Sequence, residues 1–207
     1  MKKKAIIISI KGLKLTNKEK ELLSKENPWG LILFKRNIKS FAQIKLLVTN
    51  IKKFTKNKNF PILIDEEGST VSRLNKVINH DISANYFGNL YLKNKKVGTQ
   101  IYIKYLKSLC KKLKYIGINV NTIPVLDVIR KNTSKVIGNR SFSSDKEIVK
   151  ILGKITVNEC HKHKIVSVIK HIPGHGCATS DSHFKMPKVN ITYNELIKKD
   201  FFPFKSN

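Results

Sequence analysis

Three histidines and an aspartate, His171, His175, Asp181 and His183, fall within 13 residues near the end of the chain. They stand in the run Lys170-His171-Ile172-Pro173-Gly174-His175-Gly176, followed by Asp181-Ser182-His183. A loop broken by proline and glycine is not where histidines go to fill a core, so the cluster reads as chemistry. The spacing His171-x3-His175-x7-His183 matches no zinc signature, and Pro173-Gly174 break the helical face that an HExxH site requires. A metal site is therefore the weaker reading. A Ser-His-Asp triad is weaker still, because Asp181, Ser182 and His183 are contiguous and no GxSxG elbow exists. Neither GxGxxG nor GxxxxGK[ST] occurs, so no nucleotide or other cofactor is expected. What remains is acid/base work by a loop histidine. His183 titrates near neutral pH if unperturbed, and Asp181, two residues away, can accept its Nδ1 proton and fix the tautomer. A second set of groups, Lys170 with Asp65 and Arg73, would form a polar mouth suited to hydrogen-bonding hydroxyls. Asp65-Glu66-Glu67 has a plainer alternative as an acidic surface loop.

Those residues need elements to place them, and the chain supplies an alternation. Short apolar runs at Ala5–Ile10, Gly30–Phe34, Phe60–Ile64, Ile118–Asn121 and Ile165–Ile169 read as five buried strands. Between them lie amphipathic helical stretches. Thr16 with Glu19 forms a capping box, as does Thr192 with Glu195, and Ser40 and Asp145 are further N-caps. One helix presents Phe41, Ile44, Leu47, Val48 and Ile51 on a single face. A second, over Thr99–Tyr115, presents Tyr102, Tyr105, Leu106, Leu109, Cys110 and Leu113. A third presents Ile148, Ile151, Leu152 and Ile155. Residues 75–98 are rich in Asn and read as irregular. Strands that are apolar throughout, alternating with helices, imply a parallel sheet covered on both faces. Polar clusters follow four successive strands: Arg36-Asn37, Asp65 to Gly68, Asp127, and Lys170-His171. A doubly wound sheet concentrates chemistry at one switch point, whereas a barrel gathers it at every strand's carboxyl end, so the pattern favours a barrel.

Composition bounds the function classes. The 207 residues carry a formal charge of +27, but 37 of the 41 basic residues are Lys and four are Arg. With 27 Ile and 19 Asn, the chain is dominated by residues with A/T-rich codons, which explains the excess without a polyanionic partner. Readers of nucleic acid lean on arginine forks and clustered charge, and here Lys is scattered, so nucleic-acid binding is not expected. No stretch approaches 18 apolar residues, so no membrane-spanning helix is expected. The opening MKKKAIIISIKG imitates a secretory signal, but its apolar run is too short and no small-residue cleavage site follows. Three cysteines, an odd number without CxxC spacing, fit reduced thiols in the cytoplasm.

Several segments, in order, carry a resemblance: GLILFKRNI, ILIDEEGSTVSRL, GINVNTIPVLDV, IGNRSF, KHIPGHGCATSDSH, then MPKV and DFFPF. Together they make the chain similar to family 3 glycoside hydrolases of the bacterial β-N-acetylhexosaminidase type, from about residue 5 to 204. The KH-PGHG-DSH segment separates that branch from the β-glucosidases of the wider family. The resemblance implies an α/β fold of the TIM (β/α)8 type and a retaining, two-step hydrolysis in which a histidine replaces the usual second carboxylate. Carried over by position, His183 is the acid/base and Asp181 its partner. Asp65, Arg73, Arg140, Lys170 and His171 contact the sugar. The substrate implied is a carbohydrate with terminal N-acetylglucosamine, released from cell-wall fragments during peptidoglycan recycling.

The chain departs from that pattern twice. The family run Asp-x-Glu-Gly-Gly-Arg stands here as Asp65-Glu66-Glu67-Gly68-Ser69-Thr70, while Asp65 and Arg73 keep their spacing of eight. The family's nucleophilic aspartate lies downstream of the segment matching DFFPF and has no counterpart in residues 1–207. Residues 1–207 are accordingly expected to form the first five to six of eight β/α units of one barrel domain, with two open sheet edges that a second chain could complete. Two alternatives stand beside the hydrolase: a remnant that binds sugar without turning it over, and a basic nucleic-acid-binding protein.

Overall fold

The computed structural model describes residues 3–78, 81–172, 174–181 and 184–205. Five parallel strands, β1 (Lys4–Ile8), β2 (Pro28–Leu33), β3 (Ile62–Ile64), β4 (Val120–Asn121) and β5 (Val166–Ser167), pair strictly in sequence order. Leu31 lies opposite Ile62, Leu63 opposite Val120, and Val120 opposite Val166. Each strand therefore adds to the same side of the last, with no reversal of order and no switch point. That is the winding of a barrel.

Helices α1 (Asn17–Lys25), α2 (Phe41–Phe54), α3 (Ala84–Lys93), α4 (Lys95–Ile116) and α5 (Lys146–Lys162) make the connections. Local chemistry sets their starts. Thr16 Oγ1 accepts from Glu19 N at 3.2 Å while the Glu19 carboxylate accepts from Thr16 N at 2.7 Å, the reciprocal cap expected of that pair. Ser40 caps α2 through Gln43 N, and Asp145 caps α5 through Glu147 N. Gly117, at φ +85°, ends α4 in the left-handed conformation that glycine adopts at least cost. The Thr192–Glu195 cap also forms, but it opens a single α-turn that widens into a π-turn over Leu196–Asp200.

The core lies between sheet and helices. Leu31, Leu33, Ile62 and Ile64 are fully buried, as are Ile44 and Ile51 of α2, Leu106 and Leu113 of α4, and Val149 and Leu152 of α5. Burying each such side chain contributes about 1.5–3 kcal/mol against the chain entropy lost on folding. Gly30 lets β2 and β3 approach, since a Cβ there would stand 3.0 Å from Pro61 O.

Three expectations require correction. Residues 75–98 are not irregular throughout: Ser83 caps α3, and Asn94, one of the Asn residues that suggested irregularity, caps α4. The five strands are not all buried. Ile6 and Ile7 of β1 are 52% and 45% exposed and Val166 of β5 is 60% exposed, because among the described residues β1 and β5 each pair on one side alone. On α5, Val149 rather than Ile151 turns inward, and Ile151 stays 37% exposed.

Candidate active site

The carboxyl ends of β3, β4 and β5 meet in a cleft of about 620 Å³. Asp65 and Glu67 reach it from the loop after β3, Thr122 and Arg140 from the segment after β4, and Lys170 and His171 from the end of β5. The structure thus brings together Asp65, Arg73, Arg140, Lys170 and His171, which lie up to 106 positions apart in sequence (171 minus 65).

A single network ties them. Arg73 Nη2 donates to Asp65 Oδ2 at 2.9 Å, and Thr122 Oγ1 donates to Asp65 Oδ1 at 2.5 Å. Lys170 Nζ lies 3.7 Å from Asp65 Oδ1, 2.9 Å from Thr122 Oγ1 and 2.5 Å from Glu67 Oε1. Arg140 grips the same Glu67 carboxylate bidentately, Nε to Oε2 at 2.7 Å and Nη2 to Oε1 at 2.9 Å. Arg140 Nη2 also approaches His171 Nε2 at 3.3 Å, and His171 Nδ1 meets Asp127 Oδ2 at 2.6 Å. A guanidinium can only donate, so Nε2 of His171 accepts and Nδ1 carries the proton given to Asp127. That contact fixes the tautomer.

The electrostatics follow from this geometry. Burial would push the Asp65 carboxyl up, but the hydrogen bonds from Thr122 and Arg73 and the charge of Lys170 outweigh it and hold Asp65 below the ordinary carboxylate value. Burial would likewise favour loss of the Arg140 proton, yet the hydrogen bonds and charge of Glu67 raise its affinity for that proton. Three cations (Arg73, Arg140, Lys170) face three carboxylates (Asp65, Glu67, Asp127), so the network carries no net formal charge in a chain of +27. Exposed Lys135 stands outside it at the cleft wall.

The loop after β3 is held by its own backbone. Glu67 N donates to Val71 O at 2.9 Å and Val71 N to Gly68 O at 3.0 Å. Gly68 sits at φ +115°, where an added Cβ would meet Ile82 O at 2.3 Å, so no other residue fits. Ser69 takes φ +32° in the second glycine's place, and Thr70 Oγ1 bonds Asn139 Oδ1 at 2.9 Å. Glu66 points the other way: fully buried, it accepts from Ser72 Oγ and from the backbone N–H of Arg73 and Leu74, which fixes the turn that delivers Arg73. The acidic run is thus a cleft wall and its brace, and not a solvated loop.

Of the two residues assigned to proton transfer, His183 lies outside the described residues. Asp181 is partly exposed and is not among the described residues lining the cleft; its carbonyl accepts from Phe184 N at 3.1 Å and Lys185 N at 3.0 Å. Sequence reading placed Glu67 and Asp127 among the polar groups that follow strands without assigning either a contact, and it did not single out Thr122. The signal for Asp127 and Glu67 was present, since each is an acid just beyond a strand. Thr122, one more polar side chain after a short strand, carried none.

The sequence matches the family model for the glycosyl hydrolase family 3 N-terminal domain over residues 2–207. A β-hexosaminidase from Hydrogenovibrio crunogenus is 31% identical over 199 residues, covering 96% of this chain and 55% of the relative. One from Psychromonas ingrahamii is 32% identical over 202 residues, covering 97% and 58%. The chain therefore spans little more than half the length of these relatives. Among solved structures, native NagZ from Neisseria gonorrhoeae superposes with a TM-score of 0.91 at 31% identity, over 98% of this chain and 59% of that one. The same protein in complex with N-trifluoroacetyl-D-glucosamine gives 0.90 over 98% and 60%.

Proposed function

From the premise that the chain belongs to the glycosyl hydrolase family 3 N-terminal domain family, we propose that its cleft binds a terminal N-acetylglucosamine for retaining hydrolysis. The observation that carries this reading is the charge-balanced network around Asp65, Arg73, Arg140, Lys170 and His171. Paired, part-buried ions present many directed donors and acceptors while carrying no net formal charge of their own. That suits a neutral, hydroxyl-rich ligand and is poorly suited to a polyanion. The neighbour solved with N-trifluoroacetyl-D-glucosamine supports the same substrate class.

In this reading His183 protonates the glycosidic oxygen as the bond to the leaving group breaks, and a carboxylate nucleophile forms the glycosyl-enzyme. His183 then takes a proton from the water that releases the sugar. Asp181 orients the imidazole. The nucleophile has no counterpart in residues 1–207, so a segment outside them, or a second chain, would supply it. The finer setting, muropeptide substrates in cytoplasmic cell-wall recycling, rests on the family resemblance.

Hydrolysis of an aryl β-N-acetylglucosaminide should fall by at least about 100-fold on His183→Ala, the usual range for loss of a general acid. Activity indifferent to that change would refute the assignment. Sugar binding without hydrolysis, in a preparation that includes the segment or second chain expected to supply the nucleophile, would favour the second reading, a protein that holds N-acetylglucosamine without turning it over. What favours it is that Asp65, Arg73, Arg140, Lys170 and His171 line one cleft, while the resemblance places the nucleophile outside residues 1–207.

A further inference from the structure

Resting on the sugar-binding reading above, we propose that Glu67 is the specificity-determining residue of the cleft: one carboxylate that both positions Arg140 and Lys170 and cancels their charge, so that the site accepts a neutral sugar and rejects its anionic counterpart. The geometry is direct. Glu67 is nearly buried, its side chain 6% exposed, and both of its oxygens are used. Oε2 takes Arg140 Nε, and Oε1 takes both Arg140 Nη2 and Lys170 Nζ. No other described carboxylate bonds Arg140, and Lys170 lies 3.7 Å from its second acid, Asp65, which Arg73 already engages. Without Glu67, two cations converge on one cleft wall with no counter-charge between them.

The orientation of both cations follows from the same carboxylate. Arg140 spends Nη1 on Val136 O at 2.9 Å, and its other two nitrogens on Glu67, with Nη2 also reaching His171. Its plane is therefore set by the carboxylate and one carbonyl. Lys170 has three protons on a flexible stem, and its bonds to Glu67 and Thr122 select one direction for it. The carboxylate itself is fixed from behind, because Gly68 cannot change identity and Glu67 N is tied to Val71 O.

Glutamine in place of Glu67 would offer one acceptor and one donor where two cations need two acceptors. The network would then carry one net positive charge at a part-buried wall, where a charge interacts more strongly than in water. An anion is what such a site takes.

The test is calorimetric titration of the full 207-residue chain, wild type, Glu67→Gln and Glu67→Asp, with N-acetylglucosamine and with N-acetylglucosamine 6-phosphate. Inorganic phosphate serves as a sugar-free probe. Wild type is expected to bind the neutral sugar and to bind the phosphates at least about tenfold more weakly. Glu67→Gln should lose about tenfold for the neutral sugar and gain about tenfold for both phosphates, since each tenfold is about 1.4 kcal/mol. Glu67→Asp keeps the charge but is roughly one C–C bond, about 1.5 Å, too short to span both cations. It should weaken the neutral sugar without admitting phosphate, and it remains informative if the glutamine variant does not fold. Unchanged neutral-sugar affinity in both variants, or no gain of phosphate in a folded Glu67→Gln, overturns the proposal. If wild type binds no N-acetylglucosamine, the sugar reading fails, while the gain of inorganic phosphate in Glu67→Gln still decides the role of Glu67.

Discussion

Asp65 is ionised in spite of partial burial, and the cost is met by named donors, so its behaviour in acid is determinate. A carboxyl held below its ordinary value contributes stability above the unfolded pKa of about 3.9, and that contribution is lost as pH falls through the lower folded value. Wild type should therefore be insensitive to pH between about 5 and 8 at this site and lose stability below about pH 4. Asp65→Asn should flatten that acid limb in thermal melts taken from pH 2 to 5. The same variant should weaken N-acetylglucosamine binding, read by titration at pH 7. Arg140→Lys replaces a bidentate fork with a point charge and strands one Glu67 oxygen, so it should behave as a loss and not as a conservative change. A fall in melting temperature together with at least about tenfold weaker sugar binding is expected, on the order of one charged hydrogen bond.

At the scale of elements, the loop carrying His175 is anchored to the segment after β4. His175 N donates to Asp127 Oδ1 at 2.6 Å, Thr133 Oγ1 donates to Gly176 O, and Ser134 N donates to Ala178 O at 3.0 Å. Gly176 packs so closely on Val128 that an added Cβ would lie 2.1 Å from its carbonyl oxygen. Gly176→Ala should therefore displace the loop while leaving the sheet intact. Its signature would be lost sugar affinity with an unchanged far-ultraviolet circular dichroism spectrum. Helix α3, hidden in the sequence by its Asn-rich composition, depends on one hydroxyl for its start. Ser83→Ala should cost about 0.5–2 kcal/mol, measured by urea denaturation.

Across the whole molecule, charge and hydrophobicity are distributed differently from the site. The +27 is carried by a Lys-rich surface, and the cleft network is balanced. Any binding of duplex DNA should then be weak and fall steeply between about 50 and 200 mM salt, with no dependence on Arg140→Lys. Measuring binding by fluorescence anisotropy at two salt concentrations checks both parts. The sheet presents Ile6 and Ile7 at one edge and Val166 and Val168 at the other, partly exposed. Apolar strand edges are sites of association, so the 207-residue polypeptide prepared alone should sediment as concentration-dependent oligomers, and Val166→Lys should reduce them.

Local chemistry decided what the sequence could determine by itself. Caps at Thr16, Ser40 and Asp145, the apolar faces of α2 and α4, and the alternation of strands with helices other than α3 all depend on neighbours within a few residues, and each was legible. The family motifs likewise pointed to Asp65, Arg73, Arg140, Lys170 and His171 one at a time. Tertiary structure alone decided how they are joined. Glu67 reads as one acid in an acidic run until Arg140, 73 positions on, closes on it, and Thr122 reads as an ordinary threonine until it donates to Asp65. The exposure of β1 and β5 belongs to the same class, since whether an apolar strand is covered depends on which elements flank it and not on its own residues.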